Sequence, residues 1–142
     1  MVVGLGTDLV EIERIRRMID RHGDHFTERC FTRAEREYAC RHRDPAIRYS
    51  ARWAAKEAVV KAIGTGFIEG MTFHDIEVVP LHTGEPTVVL CGRTAELAAT
   101  RGITRLLLTM SHGRDYATAT AIGLAEPGQR VPDLNNSEKS RA

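Results

Sequence analysis

An acid set among bases on an alanine-rich stretch is the part of this chain best suited to chemistry. It reads Arg52-Trp53-Ala54-Ala55-Lys56-Glu57, followed by Lys61 and then Gly64-Thr65-Gly66. Glu57 and Lys61 stand four residues apart, so on a helix they share one face, with Arg52 and Lys56 nearby. A carboxylate ringed by cations suits a site for a divalent metal and an anionic, phosphorylated ligand. Taken alone, Glu57 and Lys61 read as a solvated helix pair contributing about 0.2–0.5 kcal/mol. A second acid changes the balance. Val2-Val3-Gly4-Leu5-Gly6-Thr7-Asp8 is a short apolar strand with glycines that ends in Asp8. An acid at a strand end either caps the next helix or is held rigidly enough to be a metal ligand.

The elements that must position these residues follow from periodicity and punctuation. Residues 2–7 read as a buried strand, and 11–21 as an amphipathic helix with Ile12, Ile15, Met18 and Ile19 on its apolar face. A short helical piece spans His25 to Cys30. Thr32-Arg33-Ala34-Glu35 has the form of a capping box and starts a helix that ends before Asp44-Pro45. Residues 46–63, with Ala46, Ala51, Ala54, Ala55, Ala58 and Ala62, make the long central helix that Gly64 stops. Residues 76–79 and 87–91 form a hairpin across Leu81-His82-Thr83-Gly84-Glu85-Pro86, and 93–101 form a helix. Leu106–Met110 and Ala117–Ile122 pair as strands across His112-Gly113-Arg114-Asp115. This order implies an α+β fold with a mostly antiparallel sheet wrapped around the long central helix.

Several ordered segments resemble one family. Gly4-Leu5-Gly6-Thr7-Asp8-Leu9-Val10-Glu11-Ile12 and Ala51-Arg52-Trp53-Ala54-Ala55-Lys56-Glu57-Ala58 resemble the two signatures of the holo-acyl-carrier-protein synthases, the small stand-alone class of 4′-phosphopantetheinyl transferases. The likeness continues through Lys61–Gly66, His74–Val78, Gly84-Glu85-Pro86 and Met110–Ala117, covering roughly residues 2 to 124.

The resemblance implies transfer of 4′-phosphopantetheine from coenzyme A to a serine of apo-acyl carrier protein in fatty acid biosynthesis, releasing adenosine 3′,5′-bisphosphate. Asp8 and Glu57 are the implied Mg²⁺ ligands, and Lys61 the implied contact to the pyrophosphate. The serine's proton goes to a metal-bound water, Asp8 or Glu57; the sequence does not choose among them. Gly84 and Pro86 correspond to the turn beside the adenine ring, although Glu85 stands where the family usually has a basic residue. His112 and Arg52 are the candidates for the 3′-phosphate, with the contact implied to come from the neighbouring subunit of a homotrimer. Gly64 is a candidate ligand contact but is more simply a helix stop. Arg14, Arg17 and Arg21 put a basic stripe beside Met18, and the resemblance makes this helix the dock for the acidic acyl carrier protein, with Arg29 extending it. His25 stands where the family often has a basic residue.

Size and composition bound these expectations. At 142 residues the chain has the length of one domain, expected over residues 1–125, with a Pro-, Gly-, Asn- and Ser-rich tail, 126–142, expected to be disordered. The net charge of +1 and few aromatic residues disfavour nucleic acid as a partner. The competing reading is a non-catalytic module that binds acidic proteins or nucleic acid through the Arg14–Arg21 stripe. Cys30, Cys40 and Cys91 are odd in number and widely spaced, as free thiols in a reducing cytosol would be. With no signal peptide and no apolar run near 18 residues, the expectation is a cytoplasmic protein without membrane partners.

Overall fold

The computed structural model describes residues 1–127. In chain order its elements are β1 (Val2–Glu11), α1 (Ile12–His22), α2 (Asp24–Cys30), α3 (Arg33–Cys40), α4 (Pro45–Ile63), a 3₁₀ turn (Phe73–Asp75), β2 (Ile76–Pro80), β3 (Pro86–Leu90), α5 (Gly92–Thr100), β4 (Arg105–His112) and β5 (Tyr116–Leu124). Nearly all of the expected tail, residues 128–142, lies outside the described residues.

The α+β order matches expectation, and every strand pair is antiparallel. The sheet is not single, however. One has three strands in the order β1-β5-β4, and the β2–β3 hairpin forms a second. Pro80 and Pro86 face each other where the hairpin enters its turn, and neither has an N–H to extend the ladder.

Helix α4 is buried on nearly every side, so it lacks the apolar stripe of a surface helix. Pro45 opens it at the position where a missing N–H costs nothing. Gly64, at φ 88°, closes it in the left-handed conformation. The three-stranded sheet lies against its alanines. β5 supplies Ala117, Ala119 and Ala121, all at most 1% exposed. β1 supplies Gly4 and Gly6. A Cβ on Gly6 would stand 1.9 Å from the carbonyl oxygen of Ala58, and one on Gly4 would stand 2.1 Å from that of Ala62.

Thr32 and Glu35 form the expected capping box at the start of α3. Asp44 precedes α4 but does not cap it with its side chain. It accepts two hydrogen bonds from Arg16, each 2.9 Å, and so ties α1 to the start of α4. Cys30, Cys40 and Cys91 are free thiols. Among the described residues no helix is long and apolar enough to cross a membrane.

The Gly6 contact is testable. Gly6→Ala forces β1 away from α4 and should lower the unfolding free energy by at least about 2 kcal/mol in urea titrations.

Candidate active site

Strand alternation explains where Asp8 points. Gly4, Gly6, Asp8 and Val10 fall on the face of β1 turned towards α4, while Leu5, Thr7 and Leu9 point away. Two glycines bring β1 to the surface of α4, and the next inward residue is the acid. Its carboxylate is mostly covered, at 17% exposure. The expectation that β1 stops at Thr7, leaving Asp8 free to cap a helix, fails here. β5 continues to pair with Leu9, Val10 and Glu11, so Asp8 lies inside the ladder opposite Ala119.

Lys61 donates from Nζ to Asp8 Oδ1 at 3.1 Å and to the Thr7 carbonyl at 2.9 Å. Glu57, one turn earlier on α4, is half-buried. Burial first, and then the charge of Asp8, push its carboxyl above the usual range, while Lys61 and Arg14 draw it back. Two acids that repel each other and are partly desolvated form a site that a cation stabilises. Both donors are hard oxygens from separate elements. Among the described residues no cluster of three or more His, Cys, Asp or Glu could hold a metal. A carboxylate pair is nonetheless the number Mg²⁺ usually takes, so the donor set fits that ion.

The ring of cations expected around Glu57 does not form. Lys56 turns into the core with no exposure, and Arg52 leaves α4 on another side. Five residues at 3.6 per turn separate the Arg52 and Glu57 side chains by about 140°.

Arg52 lines a cavity of about 260 Å³ together with Tyr38, Arg48, Val78, Pro80, Gly84, Pro86, Thr109, Met110 and His112. The structure therefore brings the expected Arg52, Gly84, Pro86 and His112 together, but away from Asp8, Glu57 and Lys61. The arginine is 3% exposed, its guanidinium lies 4.0 Å from the centre of the Tyr38 ring, and its Nε has no hydrogen-bond partner. Burial is the main influence on it and pulls its pKa down. A buried guanidinium that forms no ion pair among the described residues, beside Arg48 and His112, is ready to receive an anion. Tyr38, Arg48, Thr109 and Met110 were not among the sequence candidates. Tyr38 was detectable only through its position three residues beyond Glu35 of the capping box.

Gly64 joins neither group; its N–H bonds the Val60 carbonyl at 3.0 Å, as a helix stop should. The basic stripe does converge on one groove, where Arg14, Arg17, Met18 and Arg21 of α1 face Leu9 and Tyr116.

Residues 4–121 match the model of the 4′-phosphopantetheinyl transferase superfamily. The chain belongs to that family. It is 49% identical over 125 residues to the holo-[acyl-carrier-protein] synthase of Desulforudis audaxviator, covering 87% of this chain and 94% of that one. The fold matches the crystal structure of holo-[acyl-carrier-protein] synthase from Neisseria meningitidis with a TM-score of 0.80 at 31% identity, over 87% of this chain and 99% of the other. It also matches the synthase from Bacillus anthracis, solved in complex with CoA (3′,5′-ADP), with a TM-score of 0.73 at 33% identity, over 89% and 99% of the two chains.

For this phosphopantetheinyl transferase relative, the carboxylate pair makes a direct prediction. Excess Mg²⁺ should raise the melting temperature of the wild type and leave Asp8→Asn and Glu57→Gln unmoved. An equal rise in all three proteins would show that the ion binds elsewhere.

Proposed function

We propose that this chain is a holo-acyl-carrier-protein synthase: it transfers 4′-phosphopantetheine from coenzyme A to a serine of apo-acyl carrier protein and releases adenosine 3′,5′-bisphosphate. The observation that carries the reading is the unpaired, buried Arg52 in a cavity with Gly84, Pro86 and His112. Such a cavity suits the 3′-phosphate and adenine of coenzyme A, with the flat Tyr38 ring and two prolines as apolar walls.

The reaction is attack of the serine Oγ on the β-phosphorus of coenzyme A, breaking the bond to the bisphosphate leaving group. Mg²⁺ held by Asp8 and Glu57 would neutralise charge on the phosphate oxygens. Lys61, hydrogen-bonded to Asp8, would contact the pyrophosphate and offer its cation to the leaving group. The serine's proton must depart as the new bond forms. Asp8, Glu57 and a metal-bound water are the candidate acceptors, and Asp8 already receives a hydrogen bond from Lys61.

Arg14, Arg17 and Arg21 beside Met18 suit an acidic carrier protein with one apolar anchor, and Leu9 and Tyr116 give that anchor a floor. The groove shares α1 and β1 with the carboxylate site, so a carrier seated there delivers its serine close to Asp8. Coenzyme A and acyl carrier protein are the assigned partners, without nucleic acid or membrane. The free thiols suit the cytoplasm.

We further assign a homotrimer with sites between subunits. The carboxylates lie at the β1 edge of the sheet and the cavity adjoins β4 at the other edge, with α4 between them. A cyclic assembly that sets the β4 edge of one subunit beside the β1 edge of the next would unite the two halves. The outward face of the sheet supports this. Leu5 is 67% and Leu9 64% exposed, and Leu5, Ile122 and Leu107 form one cross-strand row.

Two measurements test the proposal. Incubated with apo-carrier, coenzyme A and Mg²⁺, the protein should raise the carrier's mass by one phosphopantetheine. Asp8→Ala and Glu57→Ala should each lower kcat by at least about 100-fold. Leu5→Glu, placing a charge in the row meant to be shared, should convert the trimer to monomers in light scattering and remove transfer with it. A fully active monomer would disprove the shared site.

A further inference from the structure

We propose that the buried Glu35–Lys56 ion pair is a positioning device that shapes the cavity holding the nucleotide end of coenzyme A. This inference rests on the function proposed above and assigns a role to residues outside the site described so far.

Both side chains have no exposure, and Lys56 Nζ stands 2.7 Å from Glu35 Oε1. The ammonium's three protons are all used. Besides Glu35 they go to the carbonyls of Phe73 at 2.8 Å and Ile76 at 2.7 Å. The carboxylate is equally committed. Oε1 also accepts from the Thr32 backbone N–H at 2.9 Å, and Oε2 accepts from Val78 N–H at 3.0 Å. Burial pulls the ammonium's pKa down, and the Glu35 carboxylate pushes back against it.

These bonds join the start of α3, the middle of α4, the 3₁₀ turn and β2. The β2–β3 hairpin needs such a joint, because it has no ladder to the three-stranded sheet and two strands alone are marginal in water. The same hairpin supplies Val78, Pro80, Gly84 and Pro86 to the cavity. Glu35 is also three residues before Tyr38 on α3, and Lys56 is four residues after Arg52 on α4. Each partner therefore shares a helix face with a cavity residue. The pair fixes where Tyr38 meets Arg52 and how far the hairpin stands from both.

Stability alone gives this pair little reason to exist. A buried ion pair loses hydration that apolar side chains of similar volume never had, and such replacements are often neutral or stabilising. A role in shape separates from a role in stability by where the kinetic loss falls.

The test uses Glu35→Gln, which keeps an acceptor for Lys56 but cannot accept at both oxygens, and the volume-matched Glu35→Leu/Lys56→Met. Circular dichroism and light scattering report folding and assembly. In a folded variant the KM for coenzyme A should rise at least about tenfold, the effect of one buried polar group losing its partner. The kcat at saturating coenzyme A and the KM for the carrier should stay within about threefold, because Asp8, Glu57, Lys61 and the α1 groove lie on other faces. A folded variant with an unchanged KM for coenzyme A overturns the proposal, as does a loss confined to kcat. Failure of both variants to fold overturns it too, since the pair is then scaffold. If the functional reading itself is wrong, the wild-type protein will show no transfer at all, and the two failures are distinguishable.

Discussion

The close approach of β1 to α4 sets the position of everything else in the site. Gly4 and Gly6 lie against the Ala62 and Ala58 carbonyls at distances that no side chain would permit. The approach needs small residues on both sides, which is why the middle of α4 is alanine where most buried helices carry leucine. Once the strand is that close, alternation puts Asp8 on the helix-facing side one step further along, at the level of Lys61 and Glu57. A looser contact would carry the acid away from its partners. The packing constraint and the constraint that sets the proposed site are thus one constraint.

A helix buried on nearly every side can serve several environments at once, and α4 does so with neighbouring residues. Lys56 and Glu57 are adjacent in sequence and leave the helix about 100° apart. One enters the core to meet Glu35, and the other turns to the β1 flank. Arg52, one turn before Lys56 and on the same flank, reaches past it to the hairpin and β4. This divergence divides the reading of a single compact motif into three structural roles. It also keeps the carboxylate group and the Arg52 cavity apart, with the helix as the wall between them.

The sequence made the elements legible because their signals are local. The capping box at Thr32 and Glu35, the proline that opens α4 and the glycine that closes it all act within a few residues. The start of α3 and both ends of α4 came out within one position, whereas α3 stops at Cys40, short of the end expected just before Asp44. The end of β1 was missed because its length is set by a partner more than 100 residues away, and nothing local marks that Leu9, Val10 and Glu11 pair with β5. The division into two sheets was missed for the same reason. Among the candidate site residues, Asp8, Glu57 and Lys61 do converge. Arg52, Gly84, Pro86 and His112 were found as separate motifs, but their shared cavity is a product of tertiary packing. Lys56 was misjudged. Charge and neighbourhood made it a member of the cation ring, and no local pattern distinguishes a lysine that turns inward from one that turns out.

That error points to what the fold asks of two lysines on the same helix. Lys56 is fully buried with all three of its protons bonded, so moving it would strand the Glu35 carboxylate and the carbonyls of Phe73 and Ile76. Lys61 is 53% exposed and makes one ion pair and one carbonyl bond. An exposed pair of that kind is worth about 1 kcal/mol or less, and water readily replaces it. In the roles proposed for them, Lys61 exchanges a carboxylate for a phosphate and should be held this loosely, whereas Lys56 sets a cavity's shape and should not. Five residues apart, the same side-chain chemistry is fixed in one place and free in the other. Burial alone makes the difference.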